Sequence, residues 1–202
     1  MNFKSRRTEQ TEATRRALLD SARALFAQRG YADIGTEEIV RQARVTRGAL
    51  YHHFRGKEDL FRAVFEEINA ELGERAARGA MAEQDPWEQM RTGAHAFLDA
   101  CLDPAVQRIA LLDAPAVLGW ETSRELDKQA GLGIAEAVIG AAMEAGAIER
   151  GPVQPLAHLL LAALHEGAML IAGADDVGAA REEVGVSIDL LLAGLRRRGE
   201  EA

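Results

Sequence analysis

The 202-residue sequence predicts an all-α protein in two parts, an N-terminal three-helix helix-turn-helix domain at residues 1–60 and a C-terminal helical domain at residues 61–202. Two observations predict this fold class. Apolar residues recur at helical spacing almost throughout, and no stretch alternates convincingly with a period of two. Hydrophobic residues make up 48% and charged residues 28% of the chain, a composition that is globular and too apolar for disorder.

The first helix is predicted at residues 12–29. Gly30 follows its last apolar residue and fits the position of a C-cap glycine. One apolar stripe runs along this helix through Leu18, Ala22, Leu25 and Phe26.

Two short helices follow, at residues 36–43 and 47–54. Thr36 and Thr46 each offer a hydroxyl oxygen as an N-cap, and acidic residues occupy the first turn of the earlier helix. Because only about three residues separate the two helices, they are forced to cross steeply. The pattern therefore predicts a helix-turn-helix at about residues 36–54.

A fourth helix is predicted from Lys57 past Leu72, and the apolar pattern lapses at residues 78–86. Further helices are expected at residues 86–112, 121–145, 155–172 and 176–198, separated by proline and glycine. The buried side of the fourth helix is predicted to consist of Leu60, Phe61, Val64, Phe65, Ile68 and Leu72.

The last two helices each carry more than one apolar face. A helix of this kind needs more than one packing partner, either a second subunit or a larger core within the same chain. We favour a homodimer formed through these two helices. The residues expected at the interface are Leu160, Leu164, Ile188, Leu191 and Leu195.

Charge is divided unevenly between the two ends of the chain. Residues 1–57 hold 12 Lys and Arg against 6 Asp and Glu, a balance of +6, whereas the remainder holds 12 against 26, a balance of −14. This split fits one end that contacts phosphates, although a basic end without a partner gives the same count. The single Cys101, the absence of a signal peptide and the polar centre of residues 155–174 favour a cytoplasmic protein with no membrane partner.

The run TEEIVRQARVTRGALYHHFRGKEDL, residues 36–60, resembles the TetR-family DNA-binding domain, as does the preceding ALLDSARALFAQRGYADIGTEEI. The resemblance spans about residues 14–65. It implies a transcriptional repressor that binds double-stranded DNA as a homodimer and is released by a small-molecule effector bound in the C-terminal domain. The sequence departs from the family at two positions. Arg44 replaces a common glycine at a turn that favours a positive φ, so either the arginine accepts a small strain or the turn takes a different form, and Gly56 replaces a common polar cap.

The second short helix supplies the candidate base contacts, since a recognition helix presents its N-terminal residues to base edges. Arg47 is able to bind guanine O6 and N7, and Gly48 lets the backbone approach closely. Thr46 and Tyr51 are able to reach phosphate or a thymine methyl group, and His52 either.

The neighbouring residues supply candidate phosphate contacts. Lys57 and the amides at the start of the fourth helix are expected to hold one phosphate through charge and helix dipole, and Thr36 another at its own helix start. Arg44 is a further candidate. A mobile arm for backbone or minor groove is expected at Lys4, Arg6 and Arg7.

Polar or polarisable residues interrupt the apolar C-terminal helices and mark a candidate effector pocket. Core filling is the alternative for each of them. Trp120 is expected to be drier than Trp87, and a buried Glu166 beside His165 would favour a cationic or hydrogen-bond-donating ligand. The candidates are His95, Cys101, Trp120, His165, Glu166 and Met169.

Enzyme motifs are incomplete in this sequence. The His165-Glu166 pair begins an HExxH zinc motif, but Met169 stands at the second histidine position. His158 lies about 10 Å along the helix from His165, too far to share a metal. Phosphate-loop and nucleophile-elbow motifs are missing. We therefore expect no catalytic residue, metal or cofactor; a regulator without an effector, or a helix-turn-helix that has lost its DNA, stays open.

Overall fold

The computed structural model describes the backbone of residues 3–196 and the side chains of residues 8–196. Within this part of the chain the regular elements are helices, without a strand, so the predicted all-α class is confirmed. In chain order they are α1 (Phe3–Arg29), α2 (Thr36–Gln42), α3 (Arg47–His53), α4 (Lys57–Met81), α5 (Pro86–Ala100), α6 (Pro104–Val106), a π-helical segment (Gln107–Asp113), α7 (Ala114–Leu118), α8 (Trp120–Glu144), α9 (Val153–Ala172) and α10 (Val177–Ala193).

Helix α1 is longer than predicted. It begins at Phe3 instead of residue 12, so the backbone of the three basic residues predicted as an arm belongs to its first turns. The side chains of Lys4, Arg6 and Arg7 lie outside the described residues.

The helix predicted at residues 86–112 is divided. Helix α5 ends at Ala100, and the chain turns before Pro104 opens α6. Proline has no N–H to donate, so it fits the start of a helix and not its interior. The following π-helical segment, Gln107–Asp113, has a rarer hydrogen-bond pattern that its apolar periodicity does not distinguish from an α-helix.

The last helix is shorter than predicted. Helix α10 ends at Ala193, and beyond it the Leu195 carbonyl accepts a 3.0 Å hydrogen bond from the amide of Glu149. The guanidinium of Arg196 lies 4.6 Å from the centre of the Trp87 ring. These contacts fix the described end of the chain, and residues 197 and 198 of the prediction lie outside it.

The chain forms two compact units, of which unit 1 comprises Met1–Ile68 and Pro104–Ser123. Its interior is aromatic: Phe26 and Phe61 are fully buried with ring centres 5.4 Å apart, and Tyr31 lies 5.1 Å from Phe61. Unit 1 is therefore larger than the domain predicted at residues 1–60, since it includes residues from α4 and from the α6–α7 region.

The π-helical segment joins unit 1 by binding the turn after α1. Asp113 Oδ2 accepts a 2.7 Å hydrogen bond from the Tyr31 amide, and the Arg108 Nε lies 3.5 Å from the same oxygen. Gly30 has a φ of 79°, and a Cβ there would overlap the Arg108 guanidinium. Only glycine fits this point without strain or displacement. The predicted C-cap glycine therefore also leaves room for the guanidinium of Arg108, which is distant in sequence.

Unit 2 comprises Asn69–Asp103 and Arg124–Ala202. Its core is formed by apolar residues of α5, α8, α9 and α10, together with Ile148. Among the described residues, α9 is the one helix long and apolar enough to cross a membrane by length and composition alone. Its inner face, with Ala157, Leu164, Ala168 and Ile171, is nonetheless buried in this core.

Candidate DNA-binding surface and effector region

Helix α3 is held from its inner side and open on its outer side. The Thr46 hydroxyl accepts a 3.2 Å hydrogen bond from the Ala49 amide, which confirms the predicted N-cap. Leu50 and Phe54 are buried in unit 1. The cap and these two anchors fix the orientation of the helix and leave its remaining face to the solvent.

Arg47 and Tyr51 form one exposed pair on that face. The guanidinium of Arg47 lies 5.6 Å from the centre of the Tyr51 ring, and Tyr51 is 47% exposed. The hydrogen bond from Arg47 lowers the pKa of Tyr51, and Thr36 on α2 adds a weaker hydrogen bond to the phenol. Glu37 lies 3.6 Å from Arg47. Arg47 is thus pre-positioned on the surface, as a side chain that reads bases must be.

The rest of the exposed face agrees with a close approach to a groove. A Cβ at Gly48 would meet only the Thr46 hydroxyl, at 3.9 Å, so the backbone there is open. His52 is exposed, with its ring centre 5.3 Å from that of His53. Burial, followed by the neighbouring His52, lowers the pKa of His53. His53 therefore favours its neutral form, and His52 is the histidine on the open side.

The turn between α2 and α3 keeps the positive φ that a glycine would favour there. Arg44 has a φ of 56°, and it is the one non-glycine residue with a positive φ in the described part of the chain. The Val45 amide closes the turn on the Val40 carbonyl at 3.0 Å. The arginine therefore occupies a strained left-handed conformation, and its exposed side chain is free of the core.

Lys57 does not lie where the sequence predicted. Its ammonium donates to the carbonyls of Tyr31 and Ile34, both at 2.9 Å, and lies 3.9 Å from the centre of the Tyr31 ring. Burial lowers its pKa. Because its N–H groups serve the turn after α1, we correct its role from a phosphate contact to a brace inside unit 1.

Thr36 is also displaced by one position from its predicted role. The N-cap of α2 is Gly35, whose carbonyl receives the Glu38 and Ile39 amides, and Thr36 is the first helical residue. Its side chain does not cap α2 and instead helps to lower the pKa of Tyr51. At the start of α4, the Arg55 amide donates to Asp59 at 2.9 Å, which supplements the weaker cap at Gly56.

The two tryptophans have the reverse of their predicted environments. Trp120 is 48% exposed, whereas Trp87 is 6% exposed and packs in the core of unit 2. Trp120 opens α8 directly after Gly119 and therefore projects from a helix start. It also belongs to unit 1, whereas the other five candidates belong to unit 2. We remove Trp120 from the candidate pocket.

His95 takes part in an ionic network between α5 and α10. Its Nε2 lies 2.9 Å from Asp189, and its Nδ1 lies 3.0 Å from an Arg181 nitrogen that also contacts Asp99 at 2.8 Å. Arginine only donates, so Nδ1 accepts and Nε2 donates to Asp189. Both ring nitrogens are occupied by the protein, and His95 has a structural role.

His165 lies inside unit 2 without the predicted glutamate partner. Glu166 is exposed, because the next residue along a helix points about 100° away. The Nδ1 of His165 instead lies 3.4 Å from Asp127 Oδ2 on α8, and Asn69 on α4 donates to Asp127 Oδ1 at 2.8 Å. Sequence reasoning missed both partners. The one sequence feature that points to a buried Asp127 is that it directly follows Leu126, an apolar residue of the inner face of α8.

The remaining two pocket candidates are apolar in character. Cys101 is fully buried, and burial followed by the charge of Asp127 raises the pKa of its thiol to about 12. The thiol is therefore protonated and unreactive at neutral pH. Met169 is half-buried one turn beyond His165.

Two of the five predicted interface residues belong to the core. Leu164 and Ile188 are buried within unit 2, while Leu160 and Leu195 are half-buried and Leu191 is exposed. Besides Leu191, the large apolar residues of α9 and α10 that point away from the core are ones that the sequence analysis did not select. These are Leu159 and Leu170 on α9 and Val186 and Leu190 on α10.

Comparison with known proteins places both parts of the chain in one family. Residues 18–64 match the family of bacterial regulatory proteins called tetR, and residues 87–195 match the tetracyclin repressor-like C-terminal domain. A solved TetR-family transcriptional regulator from Pectobacterium atrosepticum is 36% identical, with a TM-score of 0.83 over 95% of this chain and 98% of that one.

Two curated relatives match over shorter lengths. The transposon Tn10 TetC protein of Escherichia coli is 29% identical over 63% of each chain. The HTH-type transcriptional regulator AcrR of Shigella flexneri is 42% identical over 35% of this chain and 33% of its own length. The chain therefore spans under two thirds of these relatives. Together with the capped recognition helix and its exposed Arg47–Tyr51 pair, these matches show that the chain belongs to the TetR family of helix-turn-helix transcriptional regulators.

Proposed function

We propose that the protein is a homodimeric repressor that binds a palindromic operator and is released from it by a small molecule. The observation that carries this proposal is the exposed face of α3, where Arg47 and Tyr51 lie together at the N-terminal end of a capped helix. In helix-turn-helix proteins this end of the recognition helix contacts base edges in the major groove. The proposed location is the cytoplasm, where the operator is accessible.

The outer faces of α9 and α10 support the dimer. Leu159 and Leu170 are eleven residues apart on α9, about three turns along one face, and both are exposed. Val186 and Leu190, one turn apart on α10, are also exposed, the latter by 70%. Exposed leucines at helical spacing on two adjacent helices mark an interaction surface. A second copy of the chain supplies the same surface in return, which is the usual basis of twofold symmetry.

The interior of unit 2 supports the ligand response. It combines apolar side chains with the polar groups of Asn69, Asp127 and His165, which is the composition of a small-molecule site. In the proposed mechanism, the effector favours a conformation of the dimer in which the spacing of the two recognition helices no longer matches the operator.

A binding experiment with DNA from upstream of the gene tests the first step. The wild-type protein is expected to bind this DNA with higher affinity than random duplex of equal length at the same salt concentration. Binding to upstream and random DNA with equal affinity, at protein concentrations where the dimer is present, would contradict the proposed function.

A further inference from the structure

Three polar side chains from three different helices meet inside unit 2. Asp127 of α8 lies between Asn69 of α4, at 2.8 Å, and His165 of α9, at 3.4 Å. One turn beyond Asp127, Gly131 packs directly against Leu161, which lies one turn before His165. Helices α8 and α9 therefore run antiparallel and in close contact here, and the carboxylate is held at a defined position between three helices.

We propose that Asp127 anchors the effector, and that the effector is an organic ammonium ion with an apolar body. This inference rests on the proposed ligand response and assigns its chemistry. Asp127 binds the ammonium group, Asn69 and His165 orient the carboxylate, and the apolar core of unit 2 accommodates the rest of the molecule.

The surroundings of Asp127 leave its charge only partly compensated. The Asp127 and His165 side chains are 25% and 17% exposed, and Asn69 is nearly fully buried. Asn69 is a neutral donor, and the contact to His165 is long for a charge-assisted hydrogen bond, which usually measures about 2.7–2.9 Å. Arg124 on the same helix adds a favourable charge, but burial outweighs all three. An ionised carboxylate offers about four acceptor positions. Acceptor capacity therefore remains for a further donor.

Two titration effects agree with this geometry. Burial raises the pKa of Asp127, and this effect exceeds the opposing effects of His165, Asn69 and the positive charge of Arg124. The Asp127 charge also contributes to the raised pKa of Cys101. A cation bound at Asp127 would favour the ionised carboxylate and offset the charge that it exerts on Cys101, whereas an anionic ligand would add repulsion in the same low-dielectric surroundings.

Asp127 is expected to reduce stability in exchange for binding, as functional residues commonly do. Because folding raises the pKa of Asp127, the folded state favours the protonated carboxyl group. The stability that this preference contributes is present at low pH and is lost as the pH rises through the folded-state pKa. Asp127→Asn, which is neutral and of the same shape, is therefore expected to raise the melting temperature at pH 7. The gain is expected to vanish at a pH low enough to protonate Asp127.

Calorimetric titration of the full-length protein without DNA tests the assignment. The probes are two matched pairs, 2-phenylethylammonium with 2-phenylethanol and octylammonium with octanol. The wild-type protein is expected to bind at least one ammonium about tenfold more tightly than its alcohol. Asp127→Asn is expected to lose this preference, and Glu125→Gln, which removes an exposed charge from the same helix, to keep it.

A second variant separates an effector anchor from a simple ion pair. His165→Gln keeps a hydrogen-bond donor beside Asp127 but removes the imidazole that orients its carboxylate, so both probes are expected to bind more weakly while the preference for ammonium over alcohol is retained. Equal binding of ammonium and alcohol, binding of neither at millimolar concentration, or a preference that survives in Asp127→Asn would overturn the inference. Because no DNA is present in this titration, these results count against the effector assignment alone. Operator binding is tested by the separate experiment with upstream DNA.

Discussion

The recognition surface and the Asp127 cluster differ in how the sequence builds them. Thr46, Arg47 and Tyr51 lie within six residues, and a single capped helix places them on one exposed face. Asn69, Asp127 and His165 lie on three helices that are far apart in sequence, and only the packing of unit 2 brings them together. A site on one helix is predictable from neighbouring residues in the sequence, whereas a site between helices depends on how those helices pack.

The largest expected effect on operator binding comes from a change that lies in neither site. Leu190→Glu places a charge on the proposed dimer face, where the side chain is exposed in the single chain and the fold is expected to survive. Loss of the dimer removes the simultaneous binding of two half-sites and is expected to weaken operator binding by about 10²- to 10⁴-fold. Sedimentation and operator titration measure both effects. Met81→Glu, at an exposed position on α4, is the control, and a dimer that persists in Leu190→Glu would refute the assigned face.

Arg47→Ala tests the local site alone. Removal of a base contact is expected to weaken operator binding about tenfold to 100-fold and to relax one base position in each half-site. Affinity for random DNA should change much less. The variant should also bind the ammonium probes like the wild-type protein, since Arg47 belongs to unit 1 and Asp127 to unit 2. Equal losses on operator and random DNA would remove Arg47 from base recognition.

Asp113→Ala tests whether the recognition surface depends on a distant residue. The change removes the acceptor of the part-buried Tyr31 amide, and a buried donor left unsatisfied costs about 1–3 kcal/mol. We expect a lower melting temperature and operator binding that is weakened less than in Arg47→Ala. Asp103→Asn, just before α6, serves as a control. Unchanged stability in Asp113→Ala would show that the π-helical segment does not support the turn after α1.

Lys57→Met gives the smallest expected effect on DNA. The ammonium is bonded to two carbonyls of its own unit, so the variant is expected to lower the melting temperature by a few degrees while the salt dependence of operator binding stays the same. A phosphate contact would instead lower the slope of log K against log salt by about one unit. Operator titrations at several salt concentrations distinguish these results.

The sequence predicted the local geometry of the proposed recognition surface better than that of the proposed effector region. The N-cap at Thr46 and the open backbone at Gly48 each follow from a residue and its near neighbours, whereas the sequence left two conformations open for Arg44, of which the structure has the positive φ. The errors arose from contacts at long range. Lys57 binds the turn at Tyr31 and Ile34, and Trp87 packs in a core that no local pattern defines.

The effector candidates show the same limit. His165 was identified because it interrupts an apolar helix, but its partner is Asp127 and not its neighbour Glu166, which helical geometry turns outward. For the dimer face, periodicity predicted two apolar faces on α10 but could not say which one the core takes. Ile188 is buried there and Leu190 is not.

Selection of binding sites from random DNA by the wild-type protein and by Arg47→Ala tests the central claim most directly. We predict that the wild-type protein enriches a palindrome bound by two protomers, and that Arg47→Ala enriches the same palindrome with one base position relaxed in each half-site. Failure to enrich any sequence, or enrichment of an asymmetric site bound by a single protomer, would contradict the account.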